Sequence, residues 1–142
     1  MDFDDRALFA ALMESVPFSI SFKDANGRFV RVNDAMVDEL GLRSAAEAEG
    51  KTDADFFPEE YATAAMQEER TVMKSGQASI AREEALVGSD GSPRWFSVSR
   101  IPMRNADGAV CGLLRIRAFQ SNPGQRVTTR CVAVNGFHCS PR

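Results

Sequence analysis

The chain has 142 residues, enough for one ordinary domain with a buried core and too few for a sensor joined to a catalytic output domain. Hydrophobic residues make up 44% and charged residues 26%, and the net charge of -3 argues against a phosphate-backbone partner, so nucleic acid is not expected. No apolar run reaches membrane-spanning length, and the start Met1-Asp2-Phe3-Asp4-Asp5 is acidic where an export signal is basic, so a cytoplasmic protein without a membrane partner is expected.

Residues 5–16 place Leu8, Leu12 and Val16 four apart, with Phe9 and Met13 beside them, which predicts an amphipathic helix ending before Pro17. From Phe18 to Lys23 the pattern alternates with period two, Asp24-Ala-Asn-Gly27 supplies a turn, and Arg28-Phe-Val-Arg-Val32 completes a hairpin. Asn33 caps a short helix that stops at Gly41. Residues 44–58 break into brief helical pieces, and residues 59–74 form a longer helix with Tyr61, Ala65, Met66 and Met73, closed by Ser75-Gly76. Three strands follow, near 77–87, 94–103 and 109–119, joined by Gly88-Ser-Asp-Gly91 and Asn105-Ala-Asp-Gly108. Asn122-Pro-Gly124 then ends the pattern. The chain divides into an N-terminal helix at 1–17, a domain at 18–120 and an extension at 121–142.

Strands separated by a block of helices indicate an α+β fold with an antiparallel sheet. At this point the sequence resembles the PAS family of sensory domains. The stretch Phe22-Lys-Asp-Ala-Asn-Gly-Arg-Phe-Val-Arg-Val-Asn33 looks like its first hairpin and Gly50-Lys-Thr-Asp-Ala-Asp-Phe-Phe-Pro58 like its middle helical segment. Arg94-Trp-Phe-Ser-Val-Ser-Arg-Ile-Pro102 with Asn105-Ala-Asp-Gly108 looks like its last hairpin, so the match runs over about residues 8 to 119. The resemblance implies a five-stranded antiparallel sheet with helices packed on one face around a ligand pocket. It also implies an N-terminal helix on the other face, often with a second subunit.

Alternation along strands sends successive side chains to opposite faces. Aligned on the family, Arg82, Glu84, Leu86, Phe96, Val98, Arg100, Arg115 and Arg117 fall inside, with Ser19, Ser21, Lys23 and Leu113. Phe18, Ile20, Phe22, Trp95, Ile101, Val110, Leu114 and Ile116 fall outside, a greasy face that calls for cover from Leu8, Phe9 and Leu12 and for a homodimer partner. Buried Arg100, Arg115 and Arg117 need anionic company. Either Glu84 supplies it across the strands, or a small anionic organic ligand does, with Phe57, Phe96, Val98 and Leu86 among its walls.

Cofactor chemistry is narrowed by residue types. A flavin photosensor of the related LOV branch forms an adduct with a cysteine of the central helical segment, and residues 34–76 hold none. His-ligated haem takes an axial histidine from the long helix, and the one histidine is His138. A covalent flavin adduct and His-ligated haem are therefore not expected, a non-covalent flavin stays open, and Met66 and Met73 read as packing residues. Cys111, Cys131 and Cys139 are an odd number and read as free thiols, and Cys131, His138 and Cys139 lack a zinc spacing. No nucleophile and base pair is visible, so the chain is not expected to be an enzyme. The resemblance implies a sensor that binds a small molecule or dimerises, or does both, to act on a separate effector such as a histidine kinase or cyclic-nucleotide signalling enzyme. A ligand-free dimerisation module is the alternative.

Overall fold

The computed structural model describes residues 3–87 and 90–120. Helix α1, Asp5–Ser15, opens where Asp4 accepts a hydrogen bond from the Ala7 amide at 2.8 Å. Strands β1, Ser19–Asp24, and β2, Phe29–Val32, form the first hairpin, whose turn is held by the Asp24 carboxylate accepting from the amides of Asn26 and Arg28. Helix α2, Asp34–Leu40, follows, then two short 3-10 helices at Ala45–Ala48 and Asp53–Asp55. Helix α3, Glu59–Ser75, leads to the long strands β3, Ser79–Val87, β4, Pro93–Arg104, and β5, Val110–Gln120. Segment 121–142, with Cys131, His138 and Cys139, lies outside the described residues.

The five strands form one antiparallel sheet in the order β2-β1-β5-β4-β3. Residues brought together from the two ends of the domain therefore sit in its middle. Asn33 ties the hairpin to α2: its side-chain oxygen accepts from the amides of Ile20 and Met36, and its amide nitrogen donates to the Phe18 carbonyl at 2.7 Å. Fully buried and with both ends of its amide bonded, it replaces water for these three backbone groups at once. Gly41 ends α2 at φ 66°, a left-handed conformation that other residues adopt only at a cost. A compact apolar cluster of Phe29, Val32, Met36 and Ala48 fills the space beneath, with Leu40, Leu42 and Phe56 against it.

The N-terminal helix departs from the expected cover. Phe9 does reach the outer sheet face, its ring 5.7 Å from that of Phe22, and Met13 is buried. Leu8 and Leu12, however, are 49% and 55% exposed, because α1 lies against α2 and presents those residues outward. On the sheet itself Ile20 is buried, Trp95, Leu114 and Ile116 are half-buried, and Phe18 is exposed. No helix among the described residues is long and apolar enough to cross a membrane.

Candidate functional site

The inner sheet face is built from alternate residues of β1, β4 and β5. Register places Arg115 between Ser21 on one neighbouring strand and Arg100 on the other, and places Arg117 between Ser19 and Val98. Phe96, Val98, Arg100, Leu113, Arg115, Arg117 and Lys23 are all buried there. Four cations on one buried surface demand four anions, since an unpaired buried charge is not tolerated. The chain supplies them itself.

Arg115 grips Asp53 with both terminal nitrogens, at 2.9 and 3.0 Å, and reaches Glu69 at 3.2 Å. Lys23 donates to the same two carboxylates, at 2.6 Å to Asp53 and 2.7 Å to Glu69. All four residues are 2% exposed or less, so this is a closed quartet of two cations and two anions. Burial pushes the Asp53 carboxyl up, but Arg115 and Lys23 outweigh it and hold the group at about 2. Burial first, and then the Arg115 charge, pull the Lys23 ammonium below its usual value, against the opposing pull of Asp53 and Glu69. Helix α3 delivers Glu69 because Ala62, Ala65, Glu69 and Val72 share its buried face, three and four residues apart. Asp53 arrives from the second 3-10 helix, whose start is a capping box between Thr52 and Asp55.

The other two arginines have their own partners. Arg100 forms a forked pair with Glu84 of the neighbouring strand, one contact at 2.9 Å, and Arg117 pairs with Glu39 of α2. The Arg117 guanidinium also lies between the rings of Phe57 and Phe96, 4.6 and 4.7 Å from their centroids. Tyr61 links the two pairs, accepting from Arg117 at 3.3 Å and donating to Glu84 at 3.5 Å. The expected pairing of Glu84 with one arginine is present. The expectation of a ligand anion on the arginines is revised: Glu39, Asp53, Glu69 and Glu84 already balance Lys23, Arg100, Arg115 and Arg117.

An open cleft of about 380 Å³ lies between α3 and strands β3 and β4. Tyr61, Ala65, Glu68, Arg82, Leu86 and Arg100 are among the residues that line it. Strand β3 is a sheet edge there and carries a bulge between Ser79 and Arg82, with Ala81 at φ 52° and its amide on the Ser99 hydroxyl. Of the candidate ligand residues, Glu84, Leu86 and Arg100 line the cleft, whereas Arg115, Arg117, Phe57, Phe96 and Val98 lie in the packed interior behind it. Of the cleft residues, Tyr61 and Ala65 entered the sequence reading only as members of the long helix, and Ala64 did not enter it. No group of three or more His, Cys, Asp or Glu side chains suited to a metal occurs among the described residues.

The protein-family model described as the PAS fold matches residues 13–116. A comparison with curated protein sequences gives no match. Among solved structures, the Vibrio cholerae VqmA dimer without its target DNA superposes with a TM-score of 0.70 at 22% identity, covering 84% of this chain and 52% of that one. The V. cholerae VqmA–ligand–DNA complex gives 0.70 and 22%, covering 83% and 51%. The PAS domain of Bordetella pertussis BvgS gives 0.68 at 21% identity, covering 85% and 90%. The chain thus spans about half the length of the VqmA chains. These likenesses correct one expectation: net charge does not exclude nucleic acid, because this fold occurs in VqmA bound to DNA. The charge of one domain says nothing about contacts that other parts of a longer protein make.

Proposed function

Since the chain belongs to the PAS fold family, we propose that it is a non-enzymatic sensory domain of a cytoplasmic signalling protein that takes a small molecule into the α3/β3–β4 cleft. The observation that carries this reading is the cleft itself, open at the surface and bounded by the forked Arg100–Glu84 pair and by Tyr61, which joins that pair to Arg117 on β5. A molecule seated there touches β3, β4 and α3 together, and its contacts bias whichever arrangement of these elements it fits better. Native mass spectrometry of freshly purified protein should show a small-molecule adduct that is lost in an Ala64→Trp variant, whose indole is added at an exposed position of the cleft wall. Wild-type protein that is always ligand-free would overturn this reading in favour of an interaction module. That second reading draws support from the interior, where Arg117 between Phe57 and Phe96 occupies space with the chain's own side chains.

The same proposal gives the outer face to a second copy of the chain. Its support is the exposed set Leu8, Leu12 and Phe18 beside half-buried Trp95, Leu114 and Ile116. Light scattering on the purified chain should report a dimer, and Leu114→Asp should reduce it to a monomer without loss of folded signal. An unchanged mass in that variant would remove the outer sheet face from the interface. The effector is a separate output unit, a DNA-binding regulator as much as a kinase or cyclic-nucleotide enzyme.

A further inference from the structure

Arg100 is 0% exposed, and both its terminal nitrogens are used by Glu84. Its third nitrogen, Nε, has no acceptor, and it is the sole buried side-chain polar atom among the described residues left in that state. A buried guanidinium with one donor unmet is costly, and an acceptor from outside the chain removes that cost. Arg100 is also among the residues that line the cleft, so the cleft is the side from which an acceptor from outside the chain would approach it, with the side chains that now cover Nε moving aside.

Charge decides what kind of molecule can carry that acceptor. The Arg100 charge is already neutralised by Glu84, and Arg82 at the rim is held by Glu68 at 2.9 Å and Glu84 at 3.9 Å. The lining includes the carboxylates of Glu60, Glu68, Glu83 and Glu84 against two guanidiniums, Arg82 and Arg100, a surplus of negative charge. An anion entering this cleft is repelled, whereas an uncharged polar molecule is not. Ala64, Ala65, Leu86 and Pro58 give its remaining surface apolar walls.

Resting on the ligand-binding reading above, we propose that the cleft selects an uncharged, compact organic molecule bearing a carbonyl or comparable acceptor, which takes the free Nε–H of Arg100. The pair with Glu84 then acts as a charge filter, holding the guanidinium as a hydrogen-bond donor while withholding its positive charge from anions.

Three probes of one size separate the possibilities: benzamide, benzoate and benzylamine, titrated into the 15N-labelled chain and followed by NMR, in which the Arg Nε–H group is directly visible. Benzamide should shift the Arg100 Nε–H signal and the amides of Ala64, Ala65 and Leu86, and benzoate should bind at least about tenfold more weakly. Benzylamine, which has no acceptor, should leave the Nε–H signal in place. In Glu84→Gln the filter is gone, so the benzoate-to-benzamide preference should rise by about tenfold or more. If Glu84→Gln does not fold, the wild-type comparison of the three probes decides alone. Benzoate binding as well as benzamide in the wild-type cleft overturns the selection for uncharged ligands and leaves the sensory reading standing. Benzamide binding with the Nε–H signal unmoved overturns the role of Arg100. If no probe moves the cleft amides, the acceptor proposal falls, and the sensory reading stands or falls by whether native mass spectrometry shows a copurified ligand.

Discussion

Asp53→Ala should lower the stability of the folded chain by about 3–5 kcal/mol, more than any exposed charge change, because it leaves Lys23 and Arg115 buried with only Glu69 between them. The cost is not the worth of the contacts removed but that of two cations held out of water with half their countercharge. Urea unfolding measures it, with Arg82→Ala as the comparison, since the Arg82 side chain is 53% exposed and its pairs should matter by less than about 1 kcal/mol. A loss below about 1 kcal/mol for Asp53→Ala would mean that water or local rearrangement satisfies the remaining cations. Acid should act through the same carboxyl. Its folded value of about 2 lies below its ordinary 3.8, so its contribution is complete above about pH 4 and disappears as the pH falls towards 2. That contribution is roughly 2 kcal/mol. Asp53→Asn should therefore flatten the acid limb of the stability profile, and an unchanged limb would show that other carboxylates govern it.

Gly112→Ala should cost about 3 kcal/mol and lower Tm by roughly 10 °C, although the substitution adds one methyl group. A Cβ at Gly112 falls 2.3 Å from the Lys23 carbonyl oxygen, which is backbone of the neighbouring strand and cannot swing aside as a side chain does. Relief requires β1 and β5 to part at the centre of the sheet, next to Lys23 itself. Gly41→Ala is the contrast: its Cβ meets nothing within 4 Å, so only the left-handed backbone is penalised, by about 1–2 kcal/mol. Equal effects of the two changes, read by thermal unfolding, would show that the β1–β5 contact yields easily.

The quartet shows where sequence reading stops. Lys23 and Arg115 are legible because strand alternation has one period and one choice of face, and the runs Phe-Ser-Ile-Ser-Phe-Lys and Leu-Leu-Arg-Ile-Arg declare it. Glu69 is not legible in the same way. It sits in Gln-Glu-Glu-Arg, a run that reads as a solvated helix face until the inward stripe of Ala62, Ala65 and Val72 is known. Asp53 belongs to a 3-10 helix of three residues, too short to have any period. The α1 stripe teaches the converse. Leu8 and Leu12 do share a face, as their spacing says, but periodicity fixes which residues lie together and not what they lie against.

The pairing of Ser19 with Arg117 also sets an order of events during synthesis. When β1 and β2 leave the ribosome, the strand that completes their neighbourhood lies some 90 residues away, which at cellular rates of elongation is a wait of roughly 5 to 20 seconds. Until β5 arrives, the inner edge of β1 is an unpaired template. The hairpin cannot bury Lys23 in this interval, and its ammonium keeps that edge hydrated and unattractive to other apolar strands. A residue that needs two carboxylates in the finished fold is thus a solubilising group in the unfinished one, and the central strand pair is a long-range contact that forms only once β5 has been made.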